Sequence, residues 1–211
     1  MMDAANNNDN PNALNYAQDD KEPLEVMEAP PKDFDVFSSV PISTKVVKGR
    51  KLVLENKDWN SSVHMWIVDV ERKLVLMQKR SPHKDTFPNR WDISSAGHIP
   101  AGAKPIDTAQ SELAEELGIC LNNPSDELKF QFICPAEQAN DGGWNCYEYV
   151  YFLKRDSTLL KCALGTAEVT DVTWVSIDDL KKALTTEDET YVPRVRNYIP
   201  VFFECLDKMV N

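Results

Sequence analysis

Three carboxylates, Glu112, Glu115 and Glu116, stand at i, i+3 and i+4 in a segment of helical pattern. That spacing sets all three on one side of a helix. They occupy its last turns, just before Gly118, where the partial negative charge of a helix C-terminus favours Lys or Arg. Each unfavourable contact is modest, on the order of 0.3–1 kcal/mol when exposed. All of them have the same sign, so local helix physics does not select this arrangement. A hard cation reverses every one of these terms, and Mg2+ takes carboxylate oxygens while keeping waters and substrate phosphate in its shell. The plain alternative is a solvated acidic face, and the glycines weigh against it. Gly97 and Gly102 lead into the helix and Gly118 ends it, three of only seven glycines in 211 residues. Glycine lets backbone approach a ligand closely, so a loop carbonyl can join the carboxylates.

The elements that must position these groups are legible as patterns. Val63 to Val70 and Lys73 to Lys79 are β-prone runs joined at Glu71-Arg72, a predicted hairpin. Ser81 to Arg90 reads as a polar loop and Trp91 to Ser95 as a short strand. Pro105 to Leu117 reads as the helix, with Pro in its first turn and Gly118 after its end. Lys129 to Cys134, Cys146 to Leu153 and Val169 to Val175 are further strands; Ile177 to Leu184 and Val195 to Met209 are helices. Strands with embedded helices give an α+β, or mixed α/β, class.

Charge is distributed unevenly. The chain has 23 Lys plus Arg against 34 Asp plus Glu, a net −11, which argues against a nucleic-acid polymer or an anionic membrane surface as partner. Residues 1–36 hold nine acids and two bases, −7 of that total, with a run of Asn and no apolar periodicity. They read as a disordered acidic tail, leaving 37–211 as a single domain with a C-terminal helical extension. No apolar run is long enough to span a bilayer, and no secretory pattern opens the chain. Five scattered Cys without a Cys-x-x-Cys pair, and three His without a His-x-x-x-His pair, disfavour a disulfide scaffold or a structural zinc site. A cytoplasmic protein with reduced thiols is the expectation. The sequence carries no signal for oligomeric state.

The segment from Gly97 to Ile119 resembles the signature of the Nudix superfamily. That signature runs Gly, five residues, Glu, seven residues, then Arg-Glu-hydrophobic-x-Glu-Glu-x-Gly-hydrophobic. Gly97, Glu112, Leu113, Glu115, Glu116, Gly118 and Ile119 fall on pattern, seven of nine specified positions. The preceding QKRSPHKDTFPNRWDISSAGH and the later EVTDVTWVSIDDL and YVP are similar to the branch related to isopentenyl diphosphate isomerases. The resemblance covers roughly Val63 to Pro193 and implies a mixed sheet between helices with a loop-helix-loop metal site. It also implies hydrolysis of a small-molecule diphosphate, a nucleoside or prenyl derivative. Mg2+ or Mn2+ would be held by Glu112, Glu115, Glu116 and the carbonyl of Gly97. The catalytic base stays open between Glu112 and Glu116, with Glu112 preferred.

Two signature positions depart from the pattern. The first Glu is Ala103 and the Arg is Ser111. Losing one member of that pair would strand a charge; losing both can be nearly neutral. It does remove an orienting contact behind the metal ligands, so reduced activity, or a catalytically weak ligand-binding protein of the same fold, is the alternative. Isomerisation is disfavoured by three further losses: the catalytic Cys position is Ala96, a metal-binding His aligns with Asn60, and a catalytic Glu aligns with Cys146. His98 falls on an isomerase ligand position, with a structural role as its plain reading. Arg80 and Lys84 are candidates for gripping a terminal phosphate. Trp144, beside Gly142-Gly143, can stack on a base or prenyl group or simply pack. Glu168 resembles a loop acid that assists in some members, its plain reading being a solvated strand end.

Overall fold

The computed structural model describes residues 19–165 and 167–210. In chain order the elements are β1 (Pro23–Met27), β2 (Ser43–Gly49), α1 (Arg50–Asn56), β3 (Trp59–Asp69), β4 (Leu74–Arg80), β5 (Trp91–Asp92) and β6 (Ser95–His98). Then follow α2 (Pro105–Leu117), α3 (Pro124–Glu127), β7 (Leu128–Glu137), β8 (Asn145–Lys154), β9 (Val169–Ser176), α4 (Ile177–Thr185) and α5 (Tyr198–Val210). The sheet is mixed. β3 and β8 run parallel, while β3–β6, β4–β9, β7–β8 and β1–β2 are antiparallel.

The expected hairpin forms, but its strands diverge. β3 and β4 pair only at Val68↔Val75 and Asp69↔Leu74. The Asp69 carboxylate accepts from the Arg72 N–H and guanidinium, fixing the turn. Beyond it, β4 turns to β9 and β3 to β8, with β6 on its other side. Ser94 joins the gap: its hydroxyl accepts from the Ile67 N–H at 2.8 Å and donates to the Leu76 carbonyl at 2.6 Å. The single strand expected over Trp91 to Ser95 is therefore two short ones, β5 and β6, parted by this bridge.

Side-chain alternation along β3 divides the core. Val63, Met65 and Ile67 meet Leu113 and Leu117 of α2. Trp66 and Val68 meet Leu180 of α4 and Tyr198, Phe202 and Leu206 of α5. The Trp66 indole donates to the Tyr198 hydroxyl at 2.7 Å, tying α5 to the sheet.

The tail expected over residues 1–36 requires correction in its second half; residues 1–18 lie outside the described residues. Pro23–Met27 forms β1, paired with β2 and touching β3 at Met27↔Trp59. Leu24 and Val26 are buried against Val53 of α1. Alternate apolar side chains suffice for a five-residue strand despite the surrounding acids, because its partners come from elsewhere in the chain.

Ser94 generates a prediction. It is fully buried, so Ser94→Ala strands two backbone groups and is expected to cost about 1–3 kcal/mol, measured as a lowered urea midpoint with an unchanged slope.

Candidate active site

Helix α2 begins at Pro105 with Asp107 in its first turn and ends where Gly118 adopts a left-handed φ of 68°. Its apolar face, Ala109, Leu113 and Leu117, is buried, which turns Glu112 and Glu115 toward a cavity of about 620 Å³. No basic residue lies in the last turn. Instead a distant loop satisfies the helix end: the Ala163 N–H donates to the Leu117 carbonyl and the Gly165 N–H to the Glu116 carbonyl, at 2.9 and 2.8 Å. A Cβ on Gly165 would lie 2.3 Å from the Glu115 carbonyl oxygen, so only glycine permits this approach. The same loop delivers Glu168 to the cavity.

The carboxylates crowd together. Glu112 lies against the backbone of Gly97 so closely that a Cβ there would sit 1.8 Å from its Oε1. Glu116 is buried behind the wall, its Oε2 accepting from the Ala96 N–H at 3.1 Å and from Gln78 at 3.3 Å. Burial, then the neighbouring Glu116, Glu168 and Glu115, raises Glu112 well above the ordinary carboxylate range. Burial pushes Glu116 up to about 7, opposed by Lys84. Against four carboxylates stands the ammonium of Lys84, ion-paired to Glu168. Such a set of oxygens fits a hard divalent cation. Among the described residues, however, no three His, Cys, Asp or Glu side chains close into a ready-made metal cluster.

Gly97, Glu112, Glu115, Lys84, Arg80, Trp144 and Glu168 all line this one cavity, as do Ala103, Ser111 and His98. Ser111 and Ala103 are largely exposed, so the double departure leaves no buried charge unpaired. Arg80 differs from the expectation in one respect. Its Nε and Nη2 donate to the Thr86 carbonyl at 3.0 and 2.8 Å and its Nη1 to Asp92 at 2.9 Å, so its donors already hold the loop and the floor. Trp144 packs on His98, ring centroids 4.3 Å apart, with the Arg50 guanidinium 5.6 Å from its ring. His98 bonds Asn60 at 2.9 Å, and burial holds its imidazole well below the usual range; it serves the wall. Asn60 and Cys146 stand together in a hydrogen-bonded group with Ser62.

Several site residues had no motif to announce them. Glu22 and Pro23 line the cavity beside Arg50, so the segment expected to be a disordered tail supplies part of its wall. At the floor, Asp92 is ion-paired to Arg80 and Arg194, and His64 and Glu148 face one another. The only sequence signal for these is a lone ionisable letter within an apolar strand.

Residues 59–195 match the NUDIX domain family. The chain belongs to the Nudix superfamily. Nudix hydrolase 3 of Arabidopsis thaliana is 37% identical over 164 residues, 76% of this chain. The match spans 21% of that longer protein. A prenyl-diphosphate phosphatase of Methanosarcina mazei is 27% identical over 163 residues, 77% of this chain and 91% of that protein. Isopentenyl-diphosphate isomerases match over shorter stretches, in keeping with the branch named above. The crystal structure of DR0079 from Deinococcus radiodurans superposes with a TM-score of 0.54 at 15% identity, over 87% of this chain and 99% of that one, a likeness of fold. No described helix is long and apolar enough to cross a membrane.

The floor of this Nudix cavity yields a test. Burial opposes the Asp92 carboxylate, yet the Arg194 and Arg80 guanidiniums outweigh it and hold its pKa below the ordinary range. With the folded pKa depressed, its contribution is complete above about pH 4 and fades as pH falls through the folded pKa. Asp92→Asn leaves two buried guanidiniums short of a counter-charge. It is expected to cost about 3–5 kcal/mol near pH 7, with the gap to wild type narrowing below about pH 4, read from denaturant melts across pH.

Proposed function

We propose that this Nudix protein is a divalent-cation-dependent hydrolase that cleaves the diphosphate linkage of a nucleoside or prenyl diphosphate derivative. The observation that carries the reading is the gathering of Glu112, Glu115 and Glu168 around one cavity, with Glu116 buried behind its wall and Gly97 pressed against Glu112. Glu112, Glu115, Glu116 and the Gly97 carbonyl would hold Mg2+ or Mn2+. When bound, the cation neutralises the diphosphate and makes a water a better nucleophile at neutral pH. Glu112, preferred over Glu116, would take the proton from the attacking water. Lys84 lines the cavity, where its ammonium would meet a phosphate, and its pairing with Glu168 ties the loop before β9 to the loop after β4. Arg80 positions rather than grips: it holds Thr86 and Asp92, and through them the loop that frames the cavity. The relationship to a prenyl-diphosphate phosphatase and to Nudix hydrolase 3 supports the reaction class. Residues 37–211 act as one domain, with β1 inserted between its β2 and β3. Free thiols throughout the described chain fit a cytoplasmic setting.

A second reading rests on Ala103 and Ser111. Without the partnered Glu and Arg behind the ligands, the protein would bind a diphosphate and turn it over slowly or not at all. One experiment separates the two. The full chain is incubated with Mg2+ and ADP-ribose, geranyl diphosphate or isopentenyl diphosphate, and phosphate-ester products are measured beside Glu112→Gln and Glu116→Gln. The hydrolase reading expects turnover that EDTA abolishes and that each variant lowers by roughly a hundredfold or more. Gly97→Ala is expected to fold, because the flexible end of Glu112 can move aside, and to lose at least about tenfold in kcat/KM through that displacement. Unchanged turnover in the Glu variants would remove the metal assignment. Binding without turnover favours the second reading, and formation of dimethylallyl diphosphate would revive the isomerase.

A further inference from the structure

On the sheet face that carries Trp66 and Phe152, opposite the face packed on α2, the cavity lining is polar where a pocket for a hydrocarbon would be apolar. His64 on β3 and Glu148 on β8 are 6% and 5% exposed, and both line the cavity. Their facing atoms, His64 Nε2 and Glu148 Oε1, lie 3.6 Å apart, beyond hydrogen-bond length. The other atom of each, His64 Nδ1 and Glu148 Oε2, has no hydrogen-bond partner in the protein. Buried polar atoms are nearly always paired, so two orphans in residues that line one cavity ask for a partner from outside the chain. Asp92 cannot serve, since its oxygens are taken by Arg80, Arg194 and the Ile93 N–H.

The charge state of the pair narrows the partner. Burial, with Arg194 adding to it, lowers His64 to about 3. Burial pushes Glu148 up to about 8, opposed by Arg194 and aided by Asp92. At neutral pH the imidazole is uncharged and the carboxyl largely protonated, so each presents both a donor and an acceptor. Neither calls for a counter-ion. A group matching both carries hydroxyls.

We infer that His64 and Glu148 are specificity-determining residues that read a hydroxylated, uncharged moiety, of the kind a sugar provides, on the far side of the diphosphate from the metal wall. This rests on the hydrolase reading for the placement of the diphosphate. A prenyl chain in the same space would leave Oε2 and Nδ1 without a hydrogen bond. Sites that hydrogen-bond a substrate hydroxyl reject analogues lacking it far more strongly than apolar pockets reject a misfit. The expected penalty is on the order of tenfold to a hundredfold per orphaned group.

The test ranks ADP-ribose against geranyl diphosphate by two readouts, kcat/KM with Mg2+ and calorimetric Kd with Ca2+ in place of Mg2+. Wild type is expected to favour ADP-ribose in both. Glu148→Leu should lower the preference at least about tenfold, through KM rather than kcat. Glu148→Gln, which keeps one donor and one acceptor, should retain it within about threefold. His64→Phe removes the same kind of group beside Tyr198 and should act in the same direction, covering the case in which Glu148→Leu does not fold. Equal or tighter binding of geranyl diphosphate by wild type would overturn the inference. So would Gln behaving as badly as Leu, which would mark Glu148 as a proton donor in the chemistry. Absence of turnover on both substrates would defeat the hydrolase reading alone, because the calorimetric ranking needs no turnover and still decides what the floor recognises.

Discussion

β3 and β8 lie side by side and parallel, in unbroken register from Trp59↔Asn145 to Val68↔Lys154, and the rest of the molecule depends on that pairing. Parallel neighbours present like faces at like heights, and a slip of one residue would exchange those faces. In the observed register Ser62 stands beside Glu148 and Asn60 beside Cys146, which builds the cavity floor. The same register sends Met65 and Tyr151 to the α2 side and Trp66 and Phe152 toward α5. Core and site are therefore one constraint: apolar side chains specify the register, and the register places polar ones at the cavity.

A second tension is resolved by distance along the chain. The end of α2 carries acids where its dipole disfavours them. No local sequence relieves this. Relief comes from the backbone N–H groups of Ala163 and Gly165, some fifty residues on, bonded to the last carbonyls of the helix, and from Lys84 facing the cluster from the loop after β4. Local stability is given up where the carboxylates gather, and tertiary contacts hold the arrangement.

Legibility in the sequence followed the range of the interactions. Pro105, Gly118 and the Leu113-Leu117 spacing act within one helix, and α2 appears with the bounds its sequence implies. The carboxylate triplet was readable for the same reason. β1 was not, because Leu24 and Val26 find their partners in α1 and β2 while acids surround them in the chain. The floor was not, because His64, Asp92 and Glu148 are single letters in apolar strands whose meeting depends on sheet register. Nor could residue type reveal that Arg80 is committed to Thr86 and Asp92, since a guanidinium suits a carbonyl as readily as a phosphate.

That commitment of Arg80 has a thermodynamic consequence. The segment from Ser81 to Arg90 is clasped from within: the Arg80 guanidinium holds the Thr86 carbonyl and hydroxyl, and the Arg80 N–H donates to the Arg90 carbonyl. Its shape is set during folding. Ordering backbone costs about 1–2 kcal/mol per residue, and here that cost falls on folding, so a ligand does not meet it at association. A rim fixed in advance cannot mould itself to whatever enters. It selects by shape, and associates with a small entropic penalty and little change in its own structure.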